Sequence, residues 1–131
     1  MIVNLSDFVK LGEIVYHEAI IEFPMTIQEL QAQIKLFTAN NHLDSSPESR
    51  ILDTMSELGE VAKEMLKMTD YGKQPMQFRE EMKMELGDVL YSLITTANAL
   101  DVNLEEALQI VIAKYETRLA RGGAGSENEV L

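Results

Sequence analysis

Apolar residues recur three and four apart along most of this chain, the period of helices that bury one face. Over residues 5–23 the run passes through Leu5, Phe8, Leu11, Val15, Ala19 and Phe23. Pro24 ends it, because proline has no amide proton to continue the ladder. "TIQE" (26–29) has the form of a capping box, with Thr26 as N-cap and Glu29 reaching back. The predicted helix continues through Ile27, Leu30, Ile34 and Phe37 to about Ala39. "NNHLDSSP" (40–47) reads as a loop, and Ser46 before Pro47 opens the next helix, since proline is tolerated at the first helical position. The inward stripe expected there is Ile51, Leu52, Met55, Leu58, Ala62, Met65 and Leu66. After a second loop, "TDYGKQP" (69–75), a third helix is expected over about 76–100, burying Met82, Leu86, Val89, Leu90, Leu93, Ala97 and Leu100. Asn103 with Glu106 caps a last helix over 104–120, and the glycines of "RGGAGSENEVL" break it. No strand pattern interrupts this series.

The periodicity therefore predicts an all-α protein, a bundle of four core helices with an additional N-terminal helix. Its 131 residues suit one domain with one core. Three parts are expected: an N-terminal helical extension over 1–25, a helical domain over 26–120, and a flexible tail over 121–131. The third and fourth helices offer more apolar surface than one small bundle hides, which predicts a homodimer or homotetramer.

Charge and missing residues narrow the function classes. A formal net charge of -11 repels phosphate backbones, so no nucleic-acid role is expected. The absence of cysteine excludes disulfides, zinc-thiolate sites and a cysteine nucleophile. The longest mostly apolar stretch, 89–100, is short of the roughly 20 residues a membrane helix needs. No basic stretch precedes an apolar one at the N-terminus, so no signal peptide and a cytoplasmic location are expected.

Candidate chemistry sits in a repeated spacing. "SELGE" (56–60) carries Glu57 and Glu60, and "ELGD" (85–88) carries Glu85 and Asp88. Residues three apart lie about 60° apart around a helix, so each pair shares a face. The first pair lies nearly opposite its helix's apolar stripe. The second flanks its stripe, beside Met82 and Val89. Two readings follow: solvated helix faces, or two halves of one cation site that relieves the repulsion among four carboxylates.

The setting of these acids favours the cation site. The chain resembles the MazG-like all-α nucleoside triphosphate pyrophosphohydrolases, whose motif is Glu-Glu-x-x-Glu, a spacer, then Glu-x-x-Asp. Here the halves are "SELGE" and "ELGD", separated by residues 61–84, and "KYETR" (114–118) is similar to a Lys-x-x-x-Arg near the end of such chains. The resemblance covers about residues 26–119. One departure is Ser56, which stands where the family has its first acid and leaves the number of bound ions open.

The resemblance implies a metal set of Glu57, Glu60, Glu85 and Asp88, with Mg²⁺ as cofactor and Mn²⁺ as a substitute. It also implies cleavage between the α- and β-phosphates of a nucleoside or deoxynucleoside triphosphate, giving the monophosphate and pyrophosphate. Metal activation of water needs only carboxylates, and Glu57 or Glu60 is the candidate base. Lys114 and Arg118, one turn apart, are candidates for phosphate oxygens, with a helix C-terminal cation pair as the alternative. Lys63 and Lys67 are better read as partners of Glu60 and Glu64. Phe37 is the candidate for stacking on a base, weighed against an ordinary core aromatic. Asn98 is better read as a satisfied buried amide, and Asn40, Asn41 and His42 as turn residues. Same-fold enzymes acting on dUTP or phosphoribosyl-ATP remain alternatives, as does a non-enzymatic acidic module for a basic partner. A di-iron bundle is excluded because neither His17 nor His42 has a glutamate three residues before it.

Overall fold

The computed structural model describes residues 25–123, so the expected N-terminal helix over 5–23 and most of the tail lie outside the described residues. Four helices and no strands make up the described chain: α1 (Ile27–Asn40), α2 (Pro47–Met68), α3 (Glu81–Ala99) and α4 (Leu104–Ala120). Their starts follow local chemistry. The Thr26 hydroxyl accepts from the Glu29 amide at 3.1 Å, and Glu29 Oε2 accepts from the Thr26 amide at 2.7 Å, completing the predicted capping box. Ser46 caps α2 ahead of Pro47, and the Asn103 side chain accepts from the amides of Glu105 and Glu106. Asn41 closes α1 by donating from its side chain to the Phe37 carbonyl at 2.7 Å, and His42 turns the chain with φ 55°.

The third helix begins later than its apolar period suggests, at Glu81 rather than about residue 76. Residues 69–80 are instead held as a loop. Asp70, Tyr71 and Gly72 take positive φ, and the Gln77 amide donates to the Met68 carbonyl at 2.8 Å. Glu80, at the N-cap position, makes no side-chain cap bond.

α2 and α3 form an antiparallel pair, with the Thr54 and Thr96 hydroxyls 3.1 Å apart near one end and Glu64 meeting Arg79 near the other. α1 packs across α3 and α4. An amide clamp joins these three elements. Gln31, buried on α1, donates to the Asn98 side chain at 3.2 Å and to the Val102 carbonyl at 2.9 Å. Its oxygen accepts from the Leu104 amide at 2.8 Å, and Asn98 donates back to the Gln31 carbonyl at 3.1 Å. Asn98 is thus the satisfied amide expected. Gln31→Ala strands the Leu104 amide and two acceptors together, and is expected to cost about 3 kcal/mol. Urea unfolding of the variant measures this.

Burial departs from the sequence pattern on α2. Met68, Met82, Ile94 and Ala97 are the buried apolar residues among those described, while Leu52, Met55 and Leu58 are each more than half exposed. Leu86, Leu90 and Leu93 on α3, and Leu100 just after it, are exposed as well. The face of α2 that meets α3 carries Thr54, Glu57, Glu64 and Met68 instead. The expected inward stripe points outward and the acidic face points in. The reason is that helical period identifies two faces but not which of them meets the neighbouring helix of the same chain.

Candidate metal centre

Turning the acidic face of α2 toward α3 brings one acid of the first pair, Glu57, to both acids of the second. Glu57 from α2 and Glu85 and Asp88 from α3 each offer a carboxylate oxygen, all within 4.8 Å of one another. Such distances approach the ~3–4 Å separations of oxygens around a Mg²⁺ ion with bonds of about 2.1 Å. Glu57 and Glu85 are partly buried and Asp88 is exposed, so the group opens to solvent on one side. Among the described residues none of the ion pairs involves these three side chains. Three converging carboxylates with no cationic partner among the described residues form a hard-oxygen donor set that fits a divalent ion, whose remaining positions water and phosphate oxygens can fill.

Glu60 stands outside this group. It lies one turn beyond Glu57, exposed, with Lys63 Nζ 3.2 Å from its carboxylate. The Lys63–Glu60 and Lys67–Glu64 pairs are those that helical spacing suggests. Lys114 and Arg118 ride on α4, whose main packing partner is α1, whereas the acids lie on the α2–α3 pair. Lys114 Nζ lies 5.4 Å from the centre of the Tyr115 ring. Phe37 is half exposed and meets Tyr91 edge-on, with ring centres 6.4 Å apart. Tyr91 is one helical turn from Asp88, so Phe37 stands close to the acid-bearing stretch of α3.

Two features near the site escaped the sequence reading, the burial of Glu64 with its bond to Arg79 and a hollow beside α3. Glu64 is among the most buried side chains described, 1% exposed, with hydrogen bonds from Lys67 and from Arg79 holding its carboxyl below the usual range. The signal available was its seven-residue spacing from Glu57, which keeps both on one face. The second is a hollow of about 100 Å³ lined by Lys35, Thr38, Arg50, Thr95 and Asn98 among others. Thr95 is seven residues from Asp88, about 10 Å along the same face of α3. Arg50 closes one wall by donating to the Leu43 carbonyl.

Comparison with known proteins agrees with this arrangement. Residues 45–121 match the model of the MazG nucleotide pyrophosphohydrolase domain. The chain is 35% identical over 97 residues to the uncharacterized protein YpjD of Bacillus subtilis (strain 168), covering 71% of this chain and 86% of that one. The crystal structure of the B. subtilis YpjD superposes with a TM-score of 0.61 at 34% identity, covering 72% of this chain and 97% of the other. A second crystal structure, of the Bacillus-conserved MazG protein, is described as that of a nucleotide pyrophosphohydrolase. It superposes with a TM-score of 0.61 at 29% identity, covering 71% and 92%. The all-α fold, the acid pairs on facing helices and the family match over most of the described residues agree, and the chain belongs to the MazG nucleotide pyrophosphohydrolases.

Proposed function

We propose that the protein hydrolyses a nucleoside or deoxynucleoside triphosphate between its α- and β-phosphates, with Mg²⁺ as cofactor, and clears nucleotides from the cellular pool. The convergence of Glu57, Glu85 and Asp88, with none of the ion pairs among the described residues involving them, carries this reading. Glu57, Glu85 and Asp88 would hold the ion. When bound, a divalent cation lowers the pKa of water and neutralises charge developing on the phosphates. Glu60, one turn from Glu57 and outside the ligand group, takes the proton of the attacking water. Oxygen from that water bonds to the α-phosphorus, the bond from the α-phosphorus to the bridging oxygen breaks, and pyrophosphate leaves.

The nucleoside end would run along α3 toward the hollow beside Thr95, past Tyr91, where Phe37 offers a ring edge or face to the base. The working form is a homo-oligomer, a reading supported by the amount of apolar surface on α2 and α3 that is open among the described residues. A cytoplasmic site of action suits a nucleotide-pool enzyme, and no helix among the described residues is long and apolar enough to cross a membrane.

Incubation with a panel of triphosphates and Mg²⁺, with products resolved by ion-exchange chromatography, tests the cleavage. The expected products are the monophosphate and pyrophosphate. Diphosphate with orthophosphate would place cleavage at the β–γ bond and overturn the assignment.

A further inference from the structure

Burying a carboxylate is costly unless it is paired, and an apolar residue at the same place would seal the α2–α3 seam at least as well. Glu64 is nonetheless 1% exposed in that seam. Its Oε2 accepts from Lys67 Nζ at 2.9 Å and its Oε1 from Arg79 Nε. Lys67 is on the same helix and fixes nothing between elements. Arg79 is different: it lies two residues before α3, at the end of the 69–80 loop, and also reaches Glu81 at 3.1 Å in the first turn. The α3 N-terminus has no side-chain cap of its own. The Glu64–Arg79 pair is therefore the side-chain tie that sets where α3 begins against α2.

Its position along the seam matters. The Thr54–Thr96 hydrogen bond ties the two helices toward the other end, and the carboxylate group of Glu57, Glu85 and Asp88 lies between the two ties. A slide or tilt of α3 carries Glu85 and Asp88 with it while Glu57 stays on α2.

We propose that Glu64 and Arg79 are positioning residues for the cation site, holding α3 at the register that lets the carboxylates of the two helices share one ion. The pair touches neither ion nor substrate. It acts through the α3 backbone, so the inference rests on the cation-site reading above.

Direct binding of Mn²⁺ to the full chain, followed by electron paramagnetic resonance, tests it alongside melting of the metal-free protein. Glu64→Gln keeps the shape and removes the charge. It is expected to weaken Mn²⁺ binding about tenfold, the lower end of the effect of residues that orient metal ligands. Arg79→Lys keeps the charge without the planar fork and is expected to give a smaller loss, which keeps the test open should Glu64→Gln fold poorly. Gln31→Ala is the control: it loosens α1 from α3 and α4 but leaves both ties between α2 and α3 intact, and is expected to leave Mn²⁺ affinity unchanged. Lowered melting temperature with wild-type Mn²⁺ affinity in both Glu64→Gln and Arg79→Lys means the pair is structural only, and overturns the proposal. A wild-type protein that binds no Mn²⁺ is a distinct result, and it removes the cation site itself.

Discussion

Glu85→Gln is expected to slow pyrophosphate release about a thousandfold, equivalent to roughly 4 kcal/mol of transition-state stabilisation, and to flatten the response of the melting temperature to Mg²⁺. The substitution preserves shape and hydrogen-bonding capacity but removes one of three charges that converge within 4.8 Å. In the wild type an ion that binds only the folded chain stabilises it by RT ln(1 + [L]/Kd), about 2.7 kcal/mol at one hundred times Kd. For a chain of this size that corresponds to a rise of roughly 10 °C. Glu57→Gln is expected to behave the same way from the other helix. Without metal both variants should be as stable as wild type or slightly more so, because each removes a charge repelled by its neighbours. Solvated helix faces predict otherwise: stability changes within about 0.5 kcal/mol and an unaltered metal response. Melting of wild type and both variants across a Mg²⁺ series separates the cases. Equal shifts in all three would falsify the shared site.

The second large effect concerns assembly. Met55 and Leu58 are 66% and 57% exposed on the outward face of α2, on a helix expected from its period to bury them. A second copy covering that face explains both the sequence pattern and the exposure. In a two-fold contact each substitution acts twice. Met55→Glu with Leu58→Glu is therefore expected to weaken association by at least about a thousandfold, since each apolar side chain withheld from water contributes roughly 1.5–3 kcal/mol. Light scattering at tens of micromolar, well above an ordinary dimer's dissociation constant, should show an oligomer for wild type and a monomer for the variant. A monomeric wild type would mean that the apolar face is covered by something other than a second copy, and the assembly proposed here would be wrong.

Much of this protein could be read from its residues because the signals are local. Thr26, Ser46 and Asn103 cap helices through bonds to amides two or three residues away, so they act before any tertiary contact forms. Lys63 and Lys67 find Glu60 and Glu64 for the same reason. The acid-x-x-acid spacing likewise fixed that Glu85 and Asp88 share a face and so can reach one ion together.

Tertiary structure decided what depends on orientation. The period of α2 separates an apolar face from an acidic one, but only packing turned the acidic face toward α3. That placed Glu57 beside Glu85 and Asp88, left Glu60 outside with Lys63, and exposed Met55 and Leu58. The start of α3 is likewise a tertiary matter: local period favours a helix from about residue 76, yet the Gln77 amide donates to the Met68 carbonyl, Arg79 pairs with a glutamate fifteen residues earlier, and the helix begins at Glu81. A chain's own periodicity defines faces relative to one helix axis. Which face is interior depends on the rotation of that axis against its neighbours, and on every surface, including one from a second copy, that competes to cover it.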